Sequence, residues 1–318
     1  MKKIMVGIIA LGALFIGLFF ALKLYYCFDR ARGCVGVQAR KAAPRLTKSE
    51  LVKRKAAWKH LKGELADEMK DFNGTVGLVI KDLRMNWEIN SSKDKSIPSA
   101  SVVKIPIMMS YIDGADDRSI NLQSRITLKK SDIVAGSGPI KDEPAGKSFT
   151  IEELILPMVT ESDNTATNLL IGYLGFDVLN LYFHRLGLRH TNLSRKMMDF
   201  AQRKKGVENY TTAGDMAYLL ERLYRGKFIN PAASRKCLGI LASQKVNDRI
   251  PKYLPKGTLV AHKTGLENGI CHDVGIVYTK NGAFLIAVLT QHHNKSAKAS
   301  KQLISTLSLL TYNYLNNL

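Results

Sequence analysis

Three short motifs, widely separated along the chain, constrain its fold more than any other feature. They are Ser101-Val102-Val103-Lys104, Ser162-Asp163-Asn164 and Lys263-Thr264-Gly265. Between them they supply a serine hydroxyl, a lysine that can act as its base, a second serine that can relay a proton, and a lysine that can bind an anion. These are the parts of a serine acyl-transfer site. A fold that uses them together has to bring three distant segments into contact.

The first motif is a weak signal by itself, because Ser92-Lys93-Asp94-Lys95 repeats the Ser-x-x-Lys spacing. Ser92 lies in a polar stretch typical of a turn, whereas Ser101 opens an apolar run that predicts a buried helix. Residues three apart share a helix face, so we expect the amine of Lys104 beside the Ser101 hydroxyl. Pro106 predicts a local kink in this helix.

Hydrophobic periodicity and turn signals predict the order helix, two strands, many helices, three strands, helix. This order indicates an antiparallel sheet completed by both ends of the domain, with an all-α insertion between them. A capping box at Thr150-Ile151-Glu152-Glu153 opens one of the inserted helices. Residues 187–210 are predicted to form a long irregular loop. The other predicted elements span 47–71, 75–83, 85–90, 165–174, 211–223, 231–241, 258–263, 269–279, 283–290 and 296–315.

The motifs and their intervals of 61 and 101 residues resemble those of the class A β-lactamase catalytic domain, in the β-lactamase/penicillin-binding-protein superfamily of serine acyltransferases. The resemblance spans residues 48–318. It implies an α+β fold with an antiparallel sheet of about five strands, flanked by helices, plus an all-α lobe. The α/β part is expected over about 48–95 and 211–318, and the all-α part over about 96–210.

The chemistry of the site follows from the weakness of a serine hydroxyl as a nucleophile. Lys104 can take the proton of Ser101 when burial and a neighbouring cation such as Lys263 lower the pKa of its amine. Ser162 would then pass a proton to the departing nitrogen of the substrate. These four residues are the predicted catalytic group.

The remaining motif residues are predicted to bind the substrate. Asn164 would hold a substrate amide, while Lys263 and Thr264 would bind its carboxylate. Gly265 would let the substrate backbone lie against the strand edge. The resemblance implies an oxyanion hole made of the backbone N–H groups of the nucleophile and of Leu266. Each residue alone also fits a structural role, as a helix cap or in a turn; the joint spacing favours a site.

One departure from the class A pattern concerns deacylation. Class A members carry Arg-x-Glu-Pro-x-x-Asn in the long loop after the second motif, and its glutamate activates the water that releases the acyl group. Alignment places Met197, Met198 and Ala201 at the glutamate, proline and asparagine positions. Asp199 is the candidate replacement base, and Glu208 is a second carboxylate in this loop; either is also consistent with an ordinary loop residue.

Three functions remain open at this point. The first is a class A-like serine hydrolase that opens β-lactam rings through a Ser101 acyl-enzyme, with slow deacylation. The second is a D-Ala-D-Ala peptidase or penicillin-binding relative that acts on peptidoglycan stem peptides. The third is a non-hydrolytic sensor of cell-wall fragments or β-lactams. Met197 argues against fast turnover, whereas the overall likeness favours the first.

The N-terminal segment differs in kind from the rest of the chain. Residues 1–26 contain an uncharged apolar run long enough to span a bilayer and no good cleavage site, which favours a signal anchor over a signal peptide. A basic juxtamembrane linker over 27–47 follows, and it contradicts the positive-inside rule for export. We nevertheless expect a location in the periplasm or at the cell surface, because the predicted chemistry belongs there.

Charge, cysteines and histidines add further limits. The net charge is +20, and the stretch from Lys23 to Lys70 has 13 Lys/Arg against 5 Asp/Glu, which suits contact with anionic lipid or cell-wall polymers and equally a solvated basic helix face. No motif indicates nucleic acid. The four cysteines could pair as Cys27–Cys34 or Cys237–Cys271 in an oxidising compartment. They show no zinc spacing with the histidines, and His292-His293 is predicted to lie in a polar loop. The residues imply no cofactor and no metal.

Overall fold

The computed structural model describes residues 46–293 and 296–317 of the chain. The predicted anchor or signal peptide, nearly all of the basic linker and the Cys27–Cys34 pairing lie outside these residues. Within the described ranges, no helix combines the length and hydropathy that a membrane crossing requires.

Nine strands are present in the described part of the chain, and five of them form the central sheet. In chain order the strands are β1 Gly74–Asp82, β2 Trp87–Ser91, β3 Ile97–Pro98, β4 Arg125–Thr127, β5 Ser148–Thr150, β6 Tyr210–Thr211, β7 Val260–Glu267, β8 Ile270–Thr279 and β9 Gly282–His292. The central sheet is antiparallel and has the order β2-β1-β9-β8-β7. The first two and last three strands of the domain therefore build one sheet, as predicted. β7 lies at its edge.

The helices surround this sheet. In the described residues they are α1 Lys48–Lys70, α2 Lys104–Asp116, α3 Ile151–Thr160, α4 Asn164–Leu174, α5 Phe176–Arg185, α6 Phe200–Lys204, α7 Ala213–Tyr224, α8 Pro231–Ala242 and α9 Lys298–Asn316. The predicted capping box is present at the start of α3, where the Thr150 hydroxyl accepts from the Glu153 N–H. The sequence pattern gave no separate prediction for α5 or for the two-residue and three-residue strands.

Side chains that alternate along the strands divide the core between the two faces of the sheet. Leu78 and Ile286 belong to a cluster with residues of α1 and α9, whereas Val79 and Ala287 belong to a larger cluster formed with the other helices. Burying one such aliphatic side chain stabilises the fold by about 1.5–3 kcal/mol. The sheet therefore has apolar contacts on both faces and forms a rigid support for its edge.

The two described cysteines lie in different clusters. Cys237, on α8, packs on the helical side, and Cys271, on β8, packs on the side of α1 and α9. Both thiols are free and buried. The suggested Cys237–Cys271 disulfide is therefore wrong, because the sheet separates the two side chains.

Two smaller predictions also need correction. The expected kink at Pro106 does not interrupt a helix, because α2 begins at Lys104 and a 3₁₀ turn over Ala100–Val103 precedes it. Pro106 thus lies in the first turn of α2, where a missing N–H costs no internal hydrogen bond. His292 is not in a loop: it is the last residue of β9, and it is buried.

Candidate active site

Ser101 lies on the 3₁₀ turn that joins β3 to α2. In a 3₁₀ turn residues three apart are nearly eclipsed, so Lys104 follows Ser101 on the same face. Ala100, directly before the serine, has a φ of +43°, a region that an L-residue occupies only under constraint. Ser101 is partly exposed, whereas Ala100, Val102 and Val103 are buried. The turn is thus anchored in the core and presents the serine at the surface.

His272 on β8 holds the segment that precedes this turn. Its Nδ1 accepts a hydrogen bond from the Thr290 N–H at 3.1 Å, so the proton of the neutral ring is on Nε2, which donates to the Pro98 carbonyl at 2.8 Å. Burial lowers the pKa of His272 to about 4, which keeps the ring neutral. The sheet therefore fixes the backbone two residues before Ala100.

Lys104 is the centre of a buried hydrogen-bond cluster. Its Nζ donates to the Ser162 carbonyl at 2.8 Å, to the Ser162 hydroxyl at 3.2 Å and to Asn164 Oδ1 at 2.9 Å. Lys263 approaches from β7, and its Nζ donates to the same Ser162 hydroxyl at 3.0 Å and to the Thr264 carbonyl at 2.9 Å. Ser162 thus connects the two lysines, and residues of all three motifs meet. The hydrogen bonds of the Lys104 amine go to the second motif, and its expected contact with the Ser101 hydroxyl stays a prediction.

Burial is the main influence on the protonation of both amines. It lowers the pKa of Lys104 to about 7, although the negative charges of Asp163 and Glu267 act in the opposite direction. Burial also lowers the pKa of Lys263 well below its ordinary value, and the charge of Lys104 lowers it further. Near neutral pH a large fraction of Lys104 is therefore unprotonated and can accept a proton.

The second motif is held by a capping residue. Ser162 has a φ of +56°, and Asp163 caps α4, where its Oδ1 accepts from the Ala166 N–H at 2.7 Å. Its other oxygen accepts from the Ile140 N–H at 2.7 Å. A side chain at Gly138 would overlap Asp163, so the glycine lets this loop pass close by. The glycine-rich turn over 136–139 therefore forms one wall of the site, a role that its sequence did not indicate.

The third motif lies on the free edge of the sheet. Lys263 and Thr264 are buried, whereas the side chain of Leu266 is 49% exposed. A Cβ at Gly265 would lie 3.3 Å from the Ala100 Cβ and 3.2 Å from His272. Glycine thus allows β7 to approach the 3₁₀ turn that carries Ser101. Among the described strands, none pairs with the outer edge of β7.

Comparison with known proteins agrees with this geometry. A family model described as "Beta-lactamase enzyme family" matches residues 60–315. The chain belongs to this family. β-Lactamase VEB-1 of Pseudomonas aeruginosa is 27% identical over 273 residues, which cover 80% of this chain and 90% of that protein.

Solved structures of the β-lactamase fold also resemble this chain. A β-lactamase from Sphaerobacter thermophilus DSM 20745 is 31% identical, with a TM-score of 0.74 and coverage of 82% of this chain and 98% of that one. PBP-A is 27% identical, with a TM-score of 0.75 and coverage of 81% and 97%. The class A resemblance and the α+β fold are confirmed. The protein is a class A β-lactamase-like serine hydrolase.

The loop over 187–210 differs from the class A β-lactamase pattern where a glutamate is expected. Met197 is only 4% exposed. The side chain of Asn168, on α4, binds both backbone groups of Met197. The Met197 N–H donates to Asn168 Oδ1 at 2.8 Å, and Asn168 Nδ2 donates to the Met197 carbonyl at 3.0 Å. Met198 has a φ of +65°, and its sulfur lies near Gly136 and therefore near Asn164. An apolar pair thus occupies this position.

The two loop carboxylates have other partners. Asp199 caps the short helix α6, and its Oδ1 accepts from the Gln202 N–H at 3.0 Å. Glu208 is ion-paired with Arg195 at 2.7 Å and with Arg203 at 3.2 Å. Glu208 is therefore a structural anchor of the loop, while the role of Asp199 as a base stays a prediction.

A buried ion-pair network connects this loop to the substrate strand. Arg195 and Arg203 both also bind Glu267, the last residue of β7, at 3.0 Å. Burial alone would lower the pKa of Arg195, but its hydrogen bond to Glu208 and the charge of Glu267 outweigh burial and raise it. The sequence pattern did not reveal this connection, because Glu267 lies far from the loop along the chain.

The described residues contain no group of three or more histidine, cysteine or acidic side chains arranged to hold a metal ion.

Proposed function

We propose that the protein opens β-lactam rings by forming an acyl-enzyme on Ser101 and that it releases the acyl group slowly. One observation carries this proposal: Lys104, Ser162 and Lys263 form a buried hydrogen-bonded cluster next to the turn that carries Ser101, while Met197 stands where class A enzymes have their water-activating glutamate. The site therefore supports the formation of an acyl-enzyme more strongly than its hydrolysis.

Acylation would begin at Ser101, which precedes Lys104 by three residues and lies on the 3₁₀ turn that leads into α2. Neutral Lys104 takes the proton of Ser101, and the serine Oγ forms a bond to the lactam carbonyl carbon. The backbone N–H groups of Ser101 and Leu266 stabilise the resulting oxyanion. When the carbon–nitrogen bond breaks, the proton passes from Lys104 to the Ser162 hydroxyl, and Ser162 gives its own proton to the departing nitrogen. The 3.2 Å contact between Lys104 and Ser162 supplies this path.

The third motif and Asn164 bind the substrate in this proposal. A carboxylate at the β7 edge would meet Lys263 and Thr264, and a negative charge there would raise the proton affinity of the Lys263 amine. Asn164 would offer its amide nitrogen, since its oxygen already accepts from Lys104. Gly265 leaves room for a substrate backbone to lie along the strand edge.

A second function is favoured by Met197 together with the likeness to PBP-A. A variant of that protein forms an acyl-enzyme complex with penicillin G. A D-Ala-D-Ala peptidase acting on peptidoglycan stem peptides would use the same acylation residues, and so would a sensor that stays acylated. The lifetime of the acyl-enzyme separates these functions.

The experiment is intact-mass measurement of the full-length chain, purified in a neutral detergent, after addition of benzylpenicillin. We expect an adduct of one penicillin mass that decays over minutes to hours as the drug is consumed. A permanent adduct would support the peptidase or the sensor, and release of terminal D-alanine from a stem pentapeptide would identify the peptidase. Absence of any adduct would contradict acylation itself.

The rate of acylation should depend on pH through Lys104. Because the neutral amine is the base, acylation should rise about tenfold per pH unit below the Lys104 pKa of about 7 and level off above it. Stopped-flow measurement of a single turnover of a chromogenic cephalosporin tests this expectation. A rate that falls as the pH rises through 7 would show that a protonated group, and not neutral Lys104, limits acylation.

The cellular location belongs to the same proposal. An extracytoplasmic site, periplasmic or at the cell surface, would give the enzyme access to β-lactams and to cell-wall peptides. The apolar segment over 1–26, whether retained as an anchor or removed after secretion, supports export. Protease accessibility in spheroplasts would test it.

A further inference from the structure

A second concave surface lies away from the catalytic motifs. Its central cavity has a volume of about 540 Å³ and is lined by five cationic side chains and one carboxylate. The cations are Lys81, Arg84, Arg222, Arg225 and Lys227, from the end of β1, the turn after it and the end of α7. None of the catalytic or substrate-binding residues lines it.

The only carboxylate of this cavity, Glu221, is already neutralised. Lys81 Nζ donates to one of its oxygens at 2.6 Å, and Arg225 Nε donates to the other at 2.7 Å. Arg222 is held by neutral groups, since it donates to the carbonyls of Leu186 at 3.2 Å and Lys227 at 3.1 Å. The lining thus keeps an excess of positive charge over its one carboxylate, and Lys81, Arg222 and Arg225 are held by hydrogen bonds, which lowers the entropic cost of ordering them around an anion.

Two neighbouring cavities extend the central one into a groove. Asn86 is shared with a cavity of about 430 Å³ that is also lined by Lys55, Trp58, Trp87 and Glu88, and Glu88 is ion-paired with Lys93 at 3.3 Å. The ring centroids of Trp58 and Trp87 are 6.1 Å apart. Tyr218, 43% exposed, is shared with a cavity of about 870 Å³. The larger cavity contains Lys93, His184, Arg189 and His190 as well as Asp94 and Asp215. We call these three cavities the basic groove.

We propose that the basic groove binds an anionic polyol-phosphate or sugar-phosphate chain of the kind found in cell walls. The cations of the groove, which include Lys55, the five of the central cavity and Arg189, match repeated phosphates, and Trp58, Trp87 and Tyr218 line the same cavities and offer apolar contact to the polyol or sugar units. Such binding would keep the enzyme at the wall, where the proposed substrates are made or encountered.

The test measures binding of fluorescent oligo(glycerol phosphate) to the full-length chain in neutral detergent, by fluorescence anisotropy. The double variant Arg84→Gln/Lys227→Gln should raise the Kd on the order of tenfold or more, since two phosphate contacts are lost. The control Lys62→Gln/Lys256→Gln removes the same charge from exposed positions outside the groove and should change the Kd less than about twofold. Equal losses in both variants would overturn the proposal in favour of diffuse electrostatic attraction.

Further arms identify the ligand class. Tyr218→Ala should weaken binding of the polymer and leave the affinity for inorganic phosphate, measured without the polymer, nearly unchanged, because Tyr218 carries no charge and Arg222, which donates to its hydroxyl, keeps two backbone carbonyls as partners. If inorganic phosphate competes as effectively as the polymer at the same concentration of phosphate groups, the groove does not recognise a chain, and the proposal is overturned. Two further results would overturn the proposal. One is that a single-stranded oligonucleotide binds the groove more tightly than the polymer does, and the other is that phosphatidylglycerol in the micelles displaces the polymer. Ser101→Ala should bind like the parent, so this result is independent of the proposed hydrolase function.

Discussion

Replacing Ser101 with alanine should remove turnover of a chromogenic cephalosporin, with a loss on the order of 10³-fold or more. Ser162 cannot take its place, because its hydroxyl already bridges Lys104 and Lys263 and the residue is almost fully buried. The same variant should give no penicillin adduct by intact mass. The measurement is steady-state hydrolysis by the full-length chain, with circular dichroism to show that the variant is folded.

The chain provides its own control in the second Ser-x-x-Lys copy. Ser92 is exposed and has a φ of +44°, so glycine fits that position without strain. Ser92→Gly should therefore keep both the turnover and the penicillin adduct of the parent. Equal activity of the Ser101→Ala variant and the parent would contradict the assignment of the nucleophile.

The elements with strong local signals could be predicted from the sequence. The capping box at Thr150, the alternation along the strands and the three motifs each combine a residue type with a fixed spacing. These signals were sufficient to place Lys104, Ser162 and Lys263 in one site, since a family resemblance supplied the topology. The hydrogen bonds among these three residues form because the edge strand of the sheet and the buried ends of two helices bring their side chains together.

The features that were not predicted depend on contacts between distant segments. His272 looks like one polar residue in an apolar strand, and only the structure shows that it holds the backbone before the nucleophile. Asn168 likewise lies one helical turn after Asn164, and its position in the sequence indicates no function. In the structure its side chain binds both the N–H and the carbonyl of Met197. Pairing across such distances is set by tertiary packing, for which a single sequence carries no local signal.

Met197→Glu has the second large expected effect, on the lifetime of the acyl-enzyme. Asn168 holds the backbone of residue 197 at both N–H and carbonyl, so a new side chain there should keep the direction of the present one. Met197 is buried among apolar side chains, and this environment would raise the pKa of a glutamate towards neutrality, which suits a general base. We expect the penicillin adduct to decay on the order of 10²- to 10⁴-fold faster than in the parent.

Met197→Gln is the matched variant, because it has nearly the shape of glutamate and cannot accept a proton as a base. Its adduct should decay at the parental rate, and both variants should lose a similar amount of stability, about 1–3 kcal/mol, from placing a polar group in an apolar pocket. Asp199→Asn completes the comparison: a longer-lived adduct would identify Asp199 as the base of the natural enzyme, and an unchanged one would remove it. If Met197→Glu and Met197→Gln release the acyl group equally fast, the missing carboxylate does not limit deacylation, and the barrier lies instead in how the loop admits water.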